Sequence, residues 1–291
     1  MRDYNGNEIE VPSEFAACAE HLEVFQRGQL ATLRCFAKVC EQLGLRYYLA
    51  SGTALGAARH GGFIPWDDDV DVVVPRPDYD KLEELIAEGK TELHAYSFMH
   101  IPDYSYTYMK VAPKEIENLH RSPYAIDVFP LDILPKSRIL RWFQEKTRVF
   151  LQQILNCRYG CHVAKVPAWK FLFYRVVGFF FPHDTMVINR MRRGLLRTRG
   201  EFTSNSIVGG RFTMYGEKEF MPFEIFGVNG GGEAEFCGEK FKVPIQLESY
   251  LVHFFGDWRA LPPVEKRIPH HVEDPDWFWS GRIAIAEQKL L

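Results

Sequence analysis

The sequence predicts an α+β fold in which short strands are flanked by helices and interrupted by one basic helical insert. Three observations carry that prediction. Apolar residues recur at helical spacing early in the chain, a run of carboxylates from Asp67 to Asp71 dissolves into the valine-rich stretch ending at Val74, and residues 136–200 depart from the rest in charge and aromatic content. With 291 residues, 46% of them hydrophobic, the chain is long enough to bury a substantial core. A net charge of -3 and a pI near 6.4 carry no nucleic-acid signature.

Taken in order, Ser13 is a candidate N-cap for a helix whose apolar face runs through Phe15, Leu22, Phe25, Leu30, Leu33 and Phe36, with Gly28 a candidate break. Gly44 supplies a C-terminal stop, and Arg46 to Ala50 has the aromatic and aliphatic content of a strand. The turn Ser51-Gly52-Thr53 follows, then a short helix from Ala54 to His60 closed by Gly61 and Gly62. Such a helix start presents backbone N–H groups without intrahelical partners, and its dipole favours an anion. Pro75 to Pro77 ends the next extended segment, and Asp78 to Glu88 reads as an amphipathic helix with a solvated charged face. Tyr104 to Val111 and Tyr124 to Phe129 read as strands, and Asp132, after Pro130, as a turn or cap residue. Glycines 227, 230, 231, 232 and 238 mark hairpins or a mobile loop, Phe241 to Pro244 an edge strand, and Leu247 to Phe255 a helix.

The carboxylate block is the most informative segment. Side chains alternate between the faces of a strand, so Asp69 and Asp71 project to one side while Val70, Val72 and Val74 point into a core. Two carboxylates ~5 Å apart repel by about 3 kcal/mol at an effective dielectric of ~20, a cost that a divalent ion or a shifted pKa removes. Magnesium suits hard oxygen ligands shared with substrate phosphates, and the layout is that of a metal-dependent phosphoryl-transfer site. Asp67 shares the parity of Asp69 and Asp71, but Trp66-Asp67-Asp68 reads equally as turn. Asp127, between Ile126 and Val128, is an acid in an apolar strand, a local conflict of the kind that marks function. Tyr104, Tyr106 and Tyr108 alternate in a neighbouring strand; rings so placed could face a quaternary ammonium, though packing on the sheet is the plainer reading.

Residues 136–200 carry fourteen Lys or Arg against Glu145 and Asp184. Within them Trp169 to Phe181 is strongly apolar, too short and too charged to span a bilayer, and combines the basic and aromatic content of an interfacial helix. A helical insert packed on the core, or a basic wall attracting an anionic substrate, would use the same composition. No apolar stretch reaches the ~18 residues a spanning helix needs, so the protein is expected to be soluble or peripheral. Cysteines 18, 35, 40, 157, 161 and 237 contain no Cys-x-x-Cys pair, and with no secretory signal peptide evident, reduced cytosolic thiols are expected. Cys157, Cys161 and His162 would need a fourth ligand to hold zinc, and none is evident.

The run Ser51-Gly52-Thr53-Ala54-Leu55-Gly56-Ala57-Ala58-Arg59-His60-Gly61-Gly62-Phe63-Ile64-Pro65-Trp66-Asp67-Asp68-Asp69-Val70-Asp71 resembles the LicD family of phosphotransferases, which includes bacterial phosphorylcholine transferases and is similar to the fukutin-related proteins. The resemblance continues through Ile126 to Asp132, Val243-Pro244, Tyr250-Leu251, Phe255 to Trp258 and Leu261 to Pro263. Ser51 stands where the family more often has Gly, and Phe255 where Tyr is common.

The resemblance implies a nucleotidyltransferase-like small mixed sheet flanked by helices. Residues 1–135 would form its N-terminal helix and core, 136–200 the basic insert, and 201–291 the part that completes the same domain. It further implies Asp69, Asp71 and Asp127 as catalytic and metal-holding residues for Mg2+, with Mn2+ as a substitute. Gly52, Thr53 and Arg59 would bind donor phosphates, with His60 and Lys110 as weaker choices. The expected reaction moves a phosphorylated alcohol, phosphocholine or a polyol phosphate, from a CDP-linked donor to a hydroxyl of a cell-surface glycan or its lipid-linked precursor. The enzyme would work in the cytoplasm, peripheral to the inner face of the membrane through 136–200. The rival expectations are transfer of a nucleoside monophosphate with release of pyrophosphate, metal-dependent glycosyl transfer from a sugar nucleotide, and a membrane-attached scaffold without catalysis.

Overall fold

A computed structural model describes residues 1–13, 19–97, 104, 107–116, 124–159, 167–196, 202–209 and 220–269. Cys18, Tyr106, Cys161, His162 and the helix start at Phe15 lie outside the described residues. Helix α1, Ala19–Leu43, is continuous through Gly28. A Cβ there would stand 2.1 Å from the Tyr124 ring, so Gly28 lets an aromatic side chain approach the helix backbone and does not divide it. Gly44, at φ +63°, stops the helix as expected, and the Leu45 N–H donates back to the Cys40 carbonyl at 2.8 Å.

Strand β1 (Tyr48–Leu49) is only two residues long and feeds α2, Ser51–His60. Ser-Gly-Thr is therefore the first helical turn itself and not a turn ahead of it. Gly61 closes α2 in the left-handed conformation. β2 (Asp71–Pro75) leads directly into α3 (Arg76–Ala87), which begins two residues before the expected Asp78 because Pro77 sits in the first turn, where its missing N–H leaves no bond unmade. β3 (Leu93–Tyr96), absent from the sequence-based expectation, pairs with β4 (Met109–Pro113). β5 runs from Ile126 to Ile133, four residues beyond its expected end.

The main sheet has the order β1-β2-β5-β4-β3. β2 and β5 are parallel, and the remaining neighbours antiparallel, so the sheet is mixed. Beyond the end of β4's pairing, β5 also pairs with β6 (Ile207–Gly209), which pairs with β7 (Met221–Pro222). Pro130 falls between the β4 pairing, which ends at Val128, and the β6 pairing, which begins at Asp132, so it breaks no ladder on that side. Val70, Val72, Val73 and Val74 are all buried, as expected of a strand covered on both faces. A separate hairpin, β8 (Gly232–Phe236) and β9 (Glu239–Val243), turns through Cys237 and Gly238. Helix α7 spans Leu247–Phe255, as the sequence predicts.

The basic insert forms three helices, α4 (Arg138–Tyr159), α5 (Ala168–Phe179) and α6 (Thr185–Leu196). Leu151, Ile154, Leu155 and Ile188 make a satellite core separate from the main one. Arg193 of α6 bonds Asp80 and, at 2.8 Å, Glu83, and the Asn189 side chain donates to the Tyr104 carbonyl. The acids of α3 are thus not simply a solvated face: Glu83 is buried and also accepts from Ser97 at 2.8 Å.

Candidate active site

Adjacent strands bring two of the three expected carboxylates, Asp71 and Asp127, into one row with Lys110. Asp71 on β2 stands opposite Asp127 on β5, and Asp127 opposite Lys110 on β4, which in turn faces Tyr96 on β3. Residues directly paired across strands share a face, so these four side chains project to the same side of the sheet. The intervening row, Val72, Val128 and Met109, faces the other way into the core. Asp69 lies two residues ahead of Asp71, the first residue of β2, and is half-buried, like Asp71 and Asp127.

The backbone under this row is held from two directions. The Asp71 N–H donates to Thr53 Oγ1 at 2.8 Å, and its carbonyl accepts from Ala50 N–H at 3.0 Å. From α1, the Gln26 and Gln29 side chains donate to the Asp67 and Asp68 carbonyls at 2.8 and 2.7 Å. These buried glutamines were not singled out in the sequence; only their place on the inward face of a helix could have flagged them. Gly52 lies against Asp67, where an added Cβ would stand 2.7 Å from Oδ2. Thr53 and Gly52 thus border the row, the first by fixing Asp71, the second by close approach to Asp67.

Lys110 Nζ lies 2.5 Å from Asp127 Oδ1. Burial works against its charge, but Asp127, with Asp69 and Asp71, more than offsets this and holds the ammonium above its ordinary range. Burial pushes the Asp71 carboxyl well up, Asp69 and Asp127 add to the rise, and Lys110 opposes it. Asp67 is driven the same way by burial and by Asp69, Asp68 and Asp71. The site therefore crowds more carboxyl groups together than one lysine can offset, which is what raises them. Its donor set is hard oxygen, which fits a divalent cation in charge and chemistry, although among the described residues no three acidic, histidine or cysteine side chains already converge on one point.

Arg59 and His60 stand at the other end of α2, Arg59 seven positions after Gly52 and about 10 Å along the helix axis, although Arg59 still feels the charge of Asp67. Arg59 Nη1 donates to the Trp258 and Ala260 carbonyls at 3.0 and 3.2 Å, and its Nε to His60 Nε2 at 2.9 Å. Because Arg59 donates there, His60 is the neutral Nδ1–H tautomer and gives that proton to Asp3 at 3.0 Å. Its side chain is 1% exposed, so the geometry assigns His60 to anchoring the N-terminal segment. Asp132, expected in a turn, is in β5 and forms a buried two-pronged pair with Arg76 at 2.7 and 2.8 Å.

The same face carries an aromatic cluster. Phe129 follows Asp127 by two in β5, so strand alternation puts its ring on the carboxylate side, and Tyr108, just ahead of β4, packs against it there. Tyr108 packs on Phe129 with centroids 4.4 Å apart, and Tyr104 stands edge-on to Tyr96 and Tyr108 at 4.9 and 6.1 Å. Ser51, at φ +46°, is a non-glycine residue in the left-handed region, and its N–H donates to the Tyr250 hydroxyl at 3.0 Å. That backbone explains why glycine suits this position.

Residues 44–156 match the family model described as LicD/FKTN/FKRP, nucleotidyltransferase domain. All of Gly52, Thr53, Asp69, Asp71, Lys110 and Asp127 fall inside the match, whereas α5 and α6 fall outside it. The chain is 28% identical over 260 residues to the lipopolysaccharide cholinephosphotransferase LicD of Haemophilus influenzae, covering 84% of this chain and 94% of that protein. It is 30% identical over 150 residues to the human ribitol 5-phosphate transferase FKRP, covering 48% of this chain but only 29% of that protein.

Proposed function

The chain belongs to the LicD family of phosphotransferases, and from that premise we propose that it transfers phosphocholine from a CDP-linked donor to a hydroxyl of a cell-surface glycan or its lipid-linked precursor. One observation supports this above the others: Asp71, Asp127 and Lys110 stand in register on one sheet face, with Tyr108 and Phe129 beside them. The acids suit the transferring phosphoryl group, and the half-buried Tyr108 ring, backed by buried Phe129, suits a quaternary ammonium, which binds well against an aromatic face. A ribitol phosphate, the cargo in the name of the second relative, would gain less from rings and more from hydrogen-bonding side chains.

In the reaction the acceptor hydroxyl attacks the distal phosphorus of the donor in line, the bond from that phosphorus to the bridging oxygen breaks, and CMP leaves. Asp127 takes the hydroxyl proton on the oxygen that Lys110 does not hold. Lys110 keeps Asp127 oriented and adds positive charge at the phosphoryl group. Backbone N–H groups of Gly52 and Thr53, at the start of α2, receive donor phosphate oxygens. Asp69 and Asp71 would hold magnesium, or manganese in its place, which supplies charge neutralisation at the phosphate oxygens. With the lipid-linked precursor as acceptor, the acceptor is membrane-borne and the enzyme would work peripheral to the inner face of the membrane.

A thermal-shift panel in magnesium tests this: CDP-choline, CDP-glycerol, CDP-ribitol, UDP-sugars and nucleoside triphosphates, each on the native chain and on Asp69→Asn. The largest rise is expected with CDP-choline and is lost in the variant. A rise confined to CDP-ribitol would reassign the cargo. A rise with UDP-sugars or triphosphates alone would reject CDP-alcohol transfer, as would release of pyrophosphate in place of CMP during turnover.

A further inference from the structure

The outward face of α5 has no partner among the described residues. Trp169, Leu172, Phe173, Val176, Phe179 and Phe180 are all at least 50% exposed, and their spacing of three and four residues places them on one helical face. The opposite face, through Tyr174 and Val177, already packs on the satellite core, so the stripe is not a misplaced core face. A second exposed apolar group, Ile139 to Phe143, occupies the first turns of α4. Charge is equally one-sided. Neither α5 nor α6 contains an acidic residue, and the one acid of α4, Glu145, is bonded by Arg148 at 3.0 Å. Lys170 lies over the Trp169 ring at 5.3 Å and Arg175 over Phe171 at 5.7 Å, so cations flank the stripe.

We propose that this face docks on an anionic lipid bilayer, with the α5 rings seated at the boundary between headgroups and acyl chains and the flanking Lys and Arg on lipid phosphates. The insert's fourteen basic against two acidic residues favour that occupant. A second copy of this chain would bring the same positive charge to a symmetric interface and be repelled. No helix among the described residues is long and apolar enough to cross a membrane, so the contact lies in the interface plane. The inference builds on the membrane-borne acceptor proposed above, and it assigns the contact to a surface remote in sequence from the catalytic row.

Full-length protein is sedimented with phosphatidylcholine vesicles, with and without about one third phosphatidylglycerol, none of them carrying acceptor. Binding is expected to be about tenfold or more tighter to the anionic vesicles. The triple variant Trp169→Ser, Phe173→Ser, Phe179→Ser should lose about tenfold or more, and Lys170→Gln with Arg175→Gln about fivefold for each cation. Melting curves confirm that the exposed substitutions leave the fold intact. Equal binding by the triple variant, no binding by the native chain, or a native dimer that the triple variant converts to monomer would each overturn the assignment. Vesicle binding without CMP release under turnover conditions would leave the surface standing and remove the catalytic reading, and the reverse result would do the opposite.

Discussion

Two regions of this chain depart from the usual distribution of polar and apolar groups, in opposite directions. At the head of β2, Asp67 and Asp68 are each only 7% exposed, among other acids; on α5, Phe179 and Phe180 are 72% and 80% exposed. The first region concentrates like charge where water is scarce, and the second spends large rings on solvent. Neither arrangement stabilises the free chain, since buried charges need partners and exposed rings contribute no burial. The core is acidic and pre-set by backbone bonds, and the insert is basic and built around a core of its own. Of 35 basic and 38 acidic residues in the chain, the insert takes 14 and 2, leaving 21 against 36 elsewhere. Misplacement is informative when it is one-sided: buried acids crowded against one another point to a ligand that supplies positive charge, and exposed rings flanked by cations to one that supplies negative charge and apolar depth.

If the acids at the head of β2 serve turnover at the expense of stability, Asp71→Asn should separate the two. Activity is expected to fall by a factor on the order of 10² to 10⁴, while the melting temperature holds or rises because a repelled carboxylate has been removed. Turnover and thermal unfolding measured on one preparation check both halves; more than a few per cent residual activity would take Asp71 out of the mechanism. The next largest effect belongs to a buried charge that is properly paired. Asp132→Asn leaves Arg76 buried and facing a neutral amide, and is expected to cost about 3 kcal/mol or more in denaturant unfolding. The double change Arg76→Met with Asp132→Leu should recover much of that loss, which the Asp71 substitution has no counterpart for.

Local pattern made parts of each region legible. The parity of Asp69 and Asp71 against Val70, Val72 and Val74 is a property of one strand and needs no partner, and the α7 boundaries follow from its apolar spacing. What the pattern does not contain is the pairing. Asp71 meets Asp127 across 56 positions, and only the register of β2 on β5 brings them together. Nothing local reveals that the strand carrying Lys110 lies beside Asp127, so their ion pair cannot be read from the sequence. Asp132 reads as a turn because Pro130 normally ends strands; here the proline sits in a gap between two ladders. His60 and Arg59 end a helix whose start looks like an anion site, and their partners, Asp3 and the Trp258 and Ala260 carbonyls, come from the two ends of the sequence.

The Asp3 and His60 pair is a third kind of buried charge, tied neither to the catalytic row nor to the insert, and it gives the comparison a pH axis. Burial depresses the imidazole below its usual 6.5, with the bond to Asp3 opposing in part. As pH falls through that value, the unfolded chain takes up a proton that the folded chain refuses, so stability is lost on acidification between 6.5 and the lower folded value. His60→Gln should flatten this slope between pH 7 and 5 in denaturant titrations. An unchanged slope would mean that His60 titrates alike in both states.

The smallest expected change in stability falls at the exposed rings of α5. Phe179→Ser removes a large ring, and the same substitution at buried Phe36 or Phe223 would be expected to cost about 3 kcal/mol or more through lost burial and the cavity left behind. At 72% exposure Phe179 has little burial to lose, so the melting curve should shift by no more than about 0.5 kcal/mol in either direction. A loss near the buried value would show that the ring is covered within the protein itself, and the outer face of α5 would then be ordinary core in place of an open surface. A neutral result, set beside Asp71→Asn, would show that both regions can be altered without cost to the fold, which is the behaviour of surfaces kept for a ligand.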